Sequence, residues 1–373
     1  MRKLIDFNKT YAIALGGGGA KGGYEVGVWR SLLEEGLKYN AVSGTSVGAL
    51  NGAMMAIRDL DGAEALWRNI RFSDIMDVDD EIMNKLFEHE ATAKEIRSSI
   101  RKAMSIVRGG GLDVTPLREN MHRMIDPLKI KNADVDFIVV TYSLTDKKGL
   151  DIDMRTLPTE EICDMLLASA YYPAFKNEPL TDGKRYTDGG FSDSLPITPL
   201  IKRGYKDIIA IRLSGGFGRE KKVKAGKDVS IDYIEPKRKL GQTMNFSPVQ
   251  SAYNISLGYY DAKRYVYGLL GDFYYIERTM TEDEAYKELM SLVREQVIQA
   301  DPNASLRLIH EEILPRIAKK YNAFGDYYDI LIHYLEHTGE AFKLPEFRIV
   351  TDTQLLNEVK GCLTEKKAAG GES

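Results

Sequence analysis

Apolar and polar residues fall in blocks along this chain, and the first fifty residues set the type. Tyr11-Ala12-Ile13-Ala14-Leu15 is an unbroken apolar run stopped by glycines, the pattern of a buried strand. From Gly23 to Glu35 the spacing turns helical, with Val28, Trp29, Leu32 and Leu33 on one stripe and Gly36 placed to cap the end. Ala41-Val42-Ser43 reads as a second short strand, and Val47 to Ile57 as a helix of small and apolar residues. This β-α-β-α order implies parallel strands joined by right-handed crossovers, hence an α/β, three-layer fold with a mostly parallel central sheet. Val135 to Tyr142 and Asp207 to Leu213 read as further strands. Glu178 to Thr187 reads as a hairpin turning through a type I′ turn at Asp182-Gly183. Helices are expected from about Glu81 to Val107, from Glu160 to Tyr171, and through most of the chain after Phe246, with a fraying tail after Thr364.

Length and composition narrow the class. A chain of 373 residues is long enough for two domains, and 43% hydrophobic with 28% charged residues is ordinary for a globular protein. The expected division is an α/β domain over residues 9–215, a basic linker over 216–245 and a helical C-terminal extension over 246–365. The net charge of −4 argues against a protein that coats nucleic acid. Two distant cysteines, Cys163 and Cys362, make no disulfide framework, so a reducing compartment is the expectation. No run is long enough to span a membrane. Met1-Arg2-Lys3 starts like a signal peptide, but Asp6, Asn8 and Lys9 follow and Tyr11 to Leu15 is too short for a secretory core. The expected location is cytoplasmic.

Two turns carry the candidate chemistry. Gly16-Gly17-Gly18-Gly19-Ala20-Lys21-Gly22 joins the first strand to the first helix, and its backbone N–H groups are uncovered by side chains. Gly17, Gly19 and Gly22 fit the dinucleotide pattern, yet the second strand ends without the carboxylate that would hold a ribose. A phosphate loop needs Ser or Thr after Lys21, where Gly22 stands. An oxyanion hole and a plain tight turn are the remaining readings. Gly44-Thr45-Ser46-Val47-Gly48 matches G-x-S-x-G at a strand-to-helix junction, the context in which that motif exposes a serine hydroxyl. The Val47 N–H could join the glycine turn in holding an oxyanion. None of His89, His122, His310, His333 and His337 falls in a strand-end loop of the α/β part. The better candidate base is Asp188, which leads Asp188-Gly189-Gly190; a simple turn aspartate is the alternative.

Taken together, Gly17-Gly18-Gly19-Ala20-Lys21-Gly22, Gly44-Thr45-Ser46-Val47-Gly48 and Asp188-Gly189-Gly190 resemble the patatin-like phospholipase family, particularly its bacterial members. Asp113-Val114-Thr115-Pro116-Leu117 and Ala168-Ser169-Ala170-Tyr171-Tyr172-Pro173 agree less specifically. The resemblance covers about Tyr11 to Leu213. It implies a serine lipid acyl hydrolase with a Ser-Asp dyad: Ser46 as nucleophile, Asp188 as its partner, Gly17, Gly18 and Gly19 as the oxyanion loop. Lys21 takes the place of the family's frequent arginine, keeping the charge without the planar fork. Gly44, Gly48, Gly189 and Gly190 support these turns. No metal or organic cofactor is implied, and the partner is a lipid substrate, with peripheral membrane contact and no nucleic acid. A nucleotide-binding oxidoreductase and a catalytically silent lipid-binding module are the alternatives.

Three further signals have plainer explanations. His333-Tyr334-Leu335-Glu336-His337 spells an inverted zincin motif, but Gly339 is expected to end its helix at once. Ile96, Ile100, Met104 and Val107 form an apolar stripe flanked by Lys94, Arg97, Arg101 and Lys102, either a cap helix or a lid at a membrane surface. The basic run from Arg219 to Lys239 reads as a solvated loop that could meet anionic headgroups.

Overall fold

The computed structural model describes residues 3–87, 111–213, 218–301 and 303–370. The chain divides into two compact units, Ile5–Lys263 and Arg264–Ser373 with Met1–Leu4. The division falls inside a long helix, Pro248–Tyr267, and not at the expected linker.

In the larger unit, seven strands form one sheet: β1 (Thr10–Leu15), β2 (Lys38–Thr45), β3 (Asp136–Ser143), β4 (Lys148–Asp153), β5 (Tyr186–Thr187), β6 (Asp207–Ile211) and β7 (Ser230–Ile234). Their order is β4-β3-β2-β1-β6-β7, with β5 also on β3. Every pair is parallel except β3 with β4 and with β5. The α/β class is therefore as expected, and helices cover both faces. On one face Ala12, Ala14, Ala41 and Ile138 pack against Leu195, Ile197 and Leu200. On the other run the helices α1 (Gly23–Glu34) and α2 (Val47–Ala56), with α3 (Leu60–Asn69) beside them. Small residues dominate α2 because it lies close on the sheet: a Cβ at Gly52 would stand 2.8 Å from the Phe137 ring. The start of helix Pro248–Tyr267 belongs to this unit. Tyr24 Oη donates to Asp261 at 3.1 Å and Lys263 donates to Glu35, fastening that helix to α1.

Sheet order matters for the site. Successive strands run outward from β1 in both directions, so the chain reverses its winding between β1 and β6. Ligands in such sheets bind beyond the carboxyl ends of the strands at that reversal. Leu15, the last residue of β1, lies opposite Gly44 of β2 and Ile211 of β6. Both glycine-bearing turns therefore leave the sheet at this edge.

Several expectations need correction. The expected linker contains β7, which adds to the sheet beside β6. Two of its acidic residues, Glu220 and Glu235, pair with Arg212 at the end of β6. Residues 178–187 make a turn but no β-hairpin; only Tyr186 and Thr187 are strand, and they pair with β3. Gly183 alone takes positive φ, at +75°, so the turn is not type I′, which needs two such residues. The helix expected from Glu81 to Val107 is seen as Asp80–Phe87; its continuation, with the stripe from Ile96 to Val107, lies outside the described residues.

The smaller unit packs four long helices around Leu289, Leu331, Leu335 and Leu355, with a two-stranded parallel sheet of β8 (Tyr275–Glu277) and β9 (Ile349–Thr351). So the extension is helical but not purely so. Gly339 does not end its helix, which runs Tyr327–Ala341; it makes room for Tyr274, whose Oη would lie 2.9 Å from a Cβ there. His333 turns its Nδ1 to the Asp329 carbonyl at 2.8 Å and His337 stacks on Tyr321, so each ring is engaged locally. The last helix continues to Gly370 instead of fraying after Thr364, as its lysines and alanines favour. Among the described residues no helix is long and apolar enough to cross a membrane.

The crossing of α2 over β1 is a tight local constraint. A Cβ at Gly48 would fall 2.6 Å from the Leu15 carbonyl oxygen, a contact with backbone on both sides. Gly48→Ala should therefore cost ~1–3 kcal/mol of stability, the usual range for overpacking. Urea unfolding measures it; an unchanged midpoint would show that the helix rides further from the strand.

Candidate active site

Ser46 stands between the end of β2 and the first residue of α2, with φ 56° and ψ −124°. A non-glycine residue rarely adopts this backbone, which stores of order 1–3 kcal/mol and must be held by its surroundings. The holding group is Ser169, the last residue of helix Thr159–Ser169. Its hydroxyl accepts the Ser46 N–H at 2.9 Å and donates to the Val140 carbonyl at 2.6 Å. The elbow is braced from behind as well, where Thr45 Oγ1 donates to the Asp193 carbonyl at 2.8 Å.

Asp188 follows β5, and its own N–H donates to the Tyr171 carbonyl at 2.8 Å. Its carboxylate accepts the Gly190 N–H at 2.8 Å and faces the hydroxyl of Ser46. Burial pushes the carboxyl pKa up, and the interactions with Ser46 and Gly190 pull it part of the way back, leaving it at about 6. Gly189 is needed for this approach, since a Cβ there would stand 2.0 Å from the Val140 carbonyl oxygen. Ser46 and Asp188, 142 positions apart in sequence, are thus brought together at one sheet edge.

The glycine turn arrives beside them. Gly16 N–H donates to Ile211 O at 3.1 Å and Gly17 N–H to Ser194 O at 2.8 Å. Gly17 is therefore a turn-shaping residue whose N–H is already spent, a correction to its expected part in an oxyanion loop. Among the described hydrogen bonds none uses the N–H of Gly18, Gly19 or Val47. Gly19 has φ +60°, and a Cβ there would strike the Thr243 carbonyl oxygen at 2.3 Å. Lys21 does not line the cavity; it is buried, and desolvation lowers its pKa.

Ser46, Asp188, Val47 and Gly17 to Gly19 line one cavity with apolar walls. Leu50 and Met54 of α2, Trp67 of α3, and Leu117, Met121 and Ile125 supply much of its lining. Among the described residues no histidine lines it, and His122 is exposed; His89 lies outside them. Part of the wall could not be read from sequence: Thr243 and Met244 come from the end of the expected linker, and Phe246 opens the expected extension. Thr243 O also accepts the Ala20 N–H at 2.8 Å, so this segment touches the glycine turn directly. Ser169 was legible only as part of a family-like stretch, with nothing local to show that it braces Ser46. The geometry offers a hydroxyl, a buried carboxylate facing it and three uncommitted N–H groups near it, beside a space suited to an alkyl chain.

A family model described as patatin-like phospholipase matches residues 13–201. An uncharacterised NTE family protein of Mycobacterium bovis is 25% identical over 205 residues, which is 55% of this chain and 49% of that protein. The lysophospholipase NTE1 of Cryptococcus neoformans is 26% identical over 203 residues, 53% of this chain and 11% of that enzyme. The chain thus aligns with about half the length of its mycobacterial relative and a tenth of the fungal one. Among solved structures, VipD from Legionella pneumophila aligns over 94% of this chain and 88% of that chain at 14% identity, with a TM-score of 0.45.

The brace can be tested apart from any activity. Ser169→Ala leaves a buried N–H and a buried carbonyl without their partner, which should cost ~1–3 kcal/mol. Chemical denaturation should show that loss, while Ser169→Thr, which keeps the hydroxyl, should retain more of the stability.

Proposed function

The chain belongs to the patatin-like phospholipase family, and from that premise we propose that it hydrolyses a carboxylic ester of a lipid through an acyl-enzyme on Ser46, with Asp188 as the base. The observation that carries this reading is the convergence of Ser46, Asp188 and the uncommitted N–H groups of Gly18, Gly19 and Val47 in the lining of one apolar cavity.

In the first half-reaction Ser46 Oγ attacks the ester carbonyl as its proton passes to the Asp188 carboxylate. The carbonyl oxygen becomes an oxyanion beside the N–H groups of Gly18, Gly19 and Val47, which lie at the turn and at the start of α2, where the helix dipole also favours negative charge. The intermediate collapses, the C–O bond to the alcohol breaks, and the leaving alkoxide takes the proton back from Asp188. In the second half water replaces the alcohol: Asp188 accepts its proton, the hydroxide adds to the acyl carbon, and the fatty acid leaves as Ser46 recovers the proton. A carboxylate at its ordinary pKa near 4 is a weak base for a hydroxyl. Desolvation strengthens it, and a value of about 6 keeps it ionised at neutral pH. The alkyl chain of the substrate would lie along the Leu50, Met54, Leu117 and Met121 wall. The name of the fungal relative puts lysophospholipids first among the substrates to try.

Two measurements test this. A fluorophosphonate probe should add mass to the peptide carrying Ser46, and Ser46→Ala should lose both labelling and hydrolysis. Asp188→Asn should keep fold and lipid binding but lower acylation by ~10³-fold or more. Labelling that persists in Ser46→Ala removes the nucleophile assignment. Lipid binding with no labelling of the wild type would instead favour a silent binding module.

The pH dependence follows from the raised carboxyl pKa. Below about 6 Asp188 is protonated and cannot accept the serine proton. The rate kcat/KM should therefore climb with pH through that value, falling about tenfold for each unit below it. A profile already flat down to pH 4.5 would mean that Asp188 is not the base.

A further inference from the structure

Asn51 lies on α2 within two turns of Ser46, buried and 3% exposed. Its side chain ties together three segments that the chain brings from different places. Nδ2 donates to the Gly22 carbonyl at 3.0 Å, at the end of the glycine turn, and to Glu25 Oε2 at 2.7 Å, on α1. Oδ1 accepts Nε1–H of Trp67, on α3, at 2.8 Å. An indole N–H can only donate, so Trp67 fixes which end of the amide faces it and leaves Nδ2 for Gly22 and Glu25.

Trp67 connects this knot to the cavity. Its ring lines the wall and packs hard on the glycine turn: a Cβ at Gly22 would stand 2.3 Å from Cζ2 of the ring and 2.4 Å from Cγ2 of Val47. The turn bearing the Gly18 and Gly19 N–H groups and the residue bearing the Val47 N–H are thus pressed against one indole. Glu25 is fully buried, and desolvation raises its pKa to about 8, with the Asn51 contact pulling the other way. At neutral pH it is a neutral acceptor for Asn51.

Taking Ser46 as the nucleophile, we infer that Asn51 is a positioning residue: it sets the spacing between the N–H donors of the glycine turn and that of the serine elbow, and through Trp67 it holds the wall beside the reacting carbonyl. The group touches no reacting atom. Its loss should lower turnover more than substrate affinity, because a small misplacement of donors is felt mainly in the transition state.

The experiment uses the full chain in a Trp29→Phe background, which leaves Trp67 as the sole indole, since the sequence has two tryptophans. Asn51→Ala should lower kcat ~10- to 100-fold with KM within about threefold, and slow fluorophosphonate labelling equally. Its Trp67 emission should shift to the red and quench more readily with acrylamide. A folded Asn51→Ala with unchanged kcat, labelling and emission overturns the inference. Should that variant not fold, the Glu25 pair decides. Glu25→Ala should lower kcat, and Glu25→Gln, which keeps a neutral oxygen for Asn51 Nδ2, should restore it; equal rates in Glu25→Ala and wild type overturn the inference. Failure of the functional reading looks different. Ser46→Ala would then retain hydrolysis and labelling, while the emission of Asn51→Ala would still report whether Asn51 holds Trp67.

Discussion

The parallel pairing of β1 with β2 is the constraint on which the rest of the site depends. Leu15 sits opposite Gly44, so the two strands stop level with each other at one edge. Neighbouring strands lie about 4.8 Å apart. The glycine turn and the serine elbow, leaving from adjacent strand ends, are therefore side by side before any side chain acts. Two helices must then start within that narrow space. Only residues without a Cβ allow it: a Cβ at Gly44 would stand 2.2 Å from the Gly48 carbonyl oxygen, and one at Gly48 2.6 Å from that of Leu15. The G-x-S-x-G spacing is in this sense a packing requirement, and the place of Ser46 in the cavity lining follows from it.

Burial of charge is the second determinant. Asp188 and Glu25, like Asp193 behind the elbow, are almost wholly removed from water, and burial is the leading cause of the raised pKa of each. They differ in outcome. Asp188 is drawn back to about 6 by the Ser46 hydroxyl and the Gly190 N–H, whereas Glu25 stays near 8 despite its contacts with Asn51 and the Gly16 backbone. At pH 7 Asp188 is ionised and Glu25 neutral, while Asp193, also near 6, carries its charge behind the elbow beside the Lys221 N–H. Both raised values have the same thermodynamic sign. The folded state holds these protons more tightly than the unfolded chain, so their contribution to stability is present in acid and lost as pH rises through about 6 and then about 8.

Much of this was legible in the sequence because it depends on local rules. An apolar run ending in glycines, a serine between glycines at a strand-to-helix junction, and Asp-Gly-Gly after a short strand each carry their own backbone geometry. What escaped was set by distance. β4 and β7 lie at the edges of the sheet and are short and half-exposed; their alternation, Leu150-Asp151-Ile152-Asp153 and Ser230-Ile231-Asp232-Tyr233, is a weaker signal than the long apolar runs of the central strands. The Asp182-Gly183 turn was misread because pairing with β3 claims Tyr186 and Thr187 and leaves no partner strand before the turn. Thr243, Met244 and Phe246 have no motif; they matter because β7 and the helix from Pro248 carry the segment back across the glycine turn. The commitment of the Gly17 N–H to Ser194 likewise depends on a residue 177 positions away and could not be inferred from the glycine pattern.

That commitment bears on how the turn could work. Its polar groups are anchored on both sides of the free pair: Gly16 and Gly17 donate to Ile211 and Ser194 before it, Ala20 donates to Thr243 after it, and the Gly22 carbonyl is held by Asn51. Between these anchors the N–H groups of Gly18 and Gly19 have no acceptor among the described hydrogen bonds. A run of four glycines in isolation would be among the most mobile stretches of any chain. Here ties at either end restrain it, so the two N–H groups are held in place by the fold itself. Donors fixed in advance need no reorganisation as charge develops, which is where such groups contribute most to a rate. The glycines are thus needed for the close approach of backbone to backbone, and the rigidity of the turn comes from elsewhere: from the loop of Ser194, from Thr243 and from Asn51.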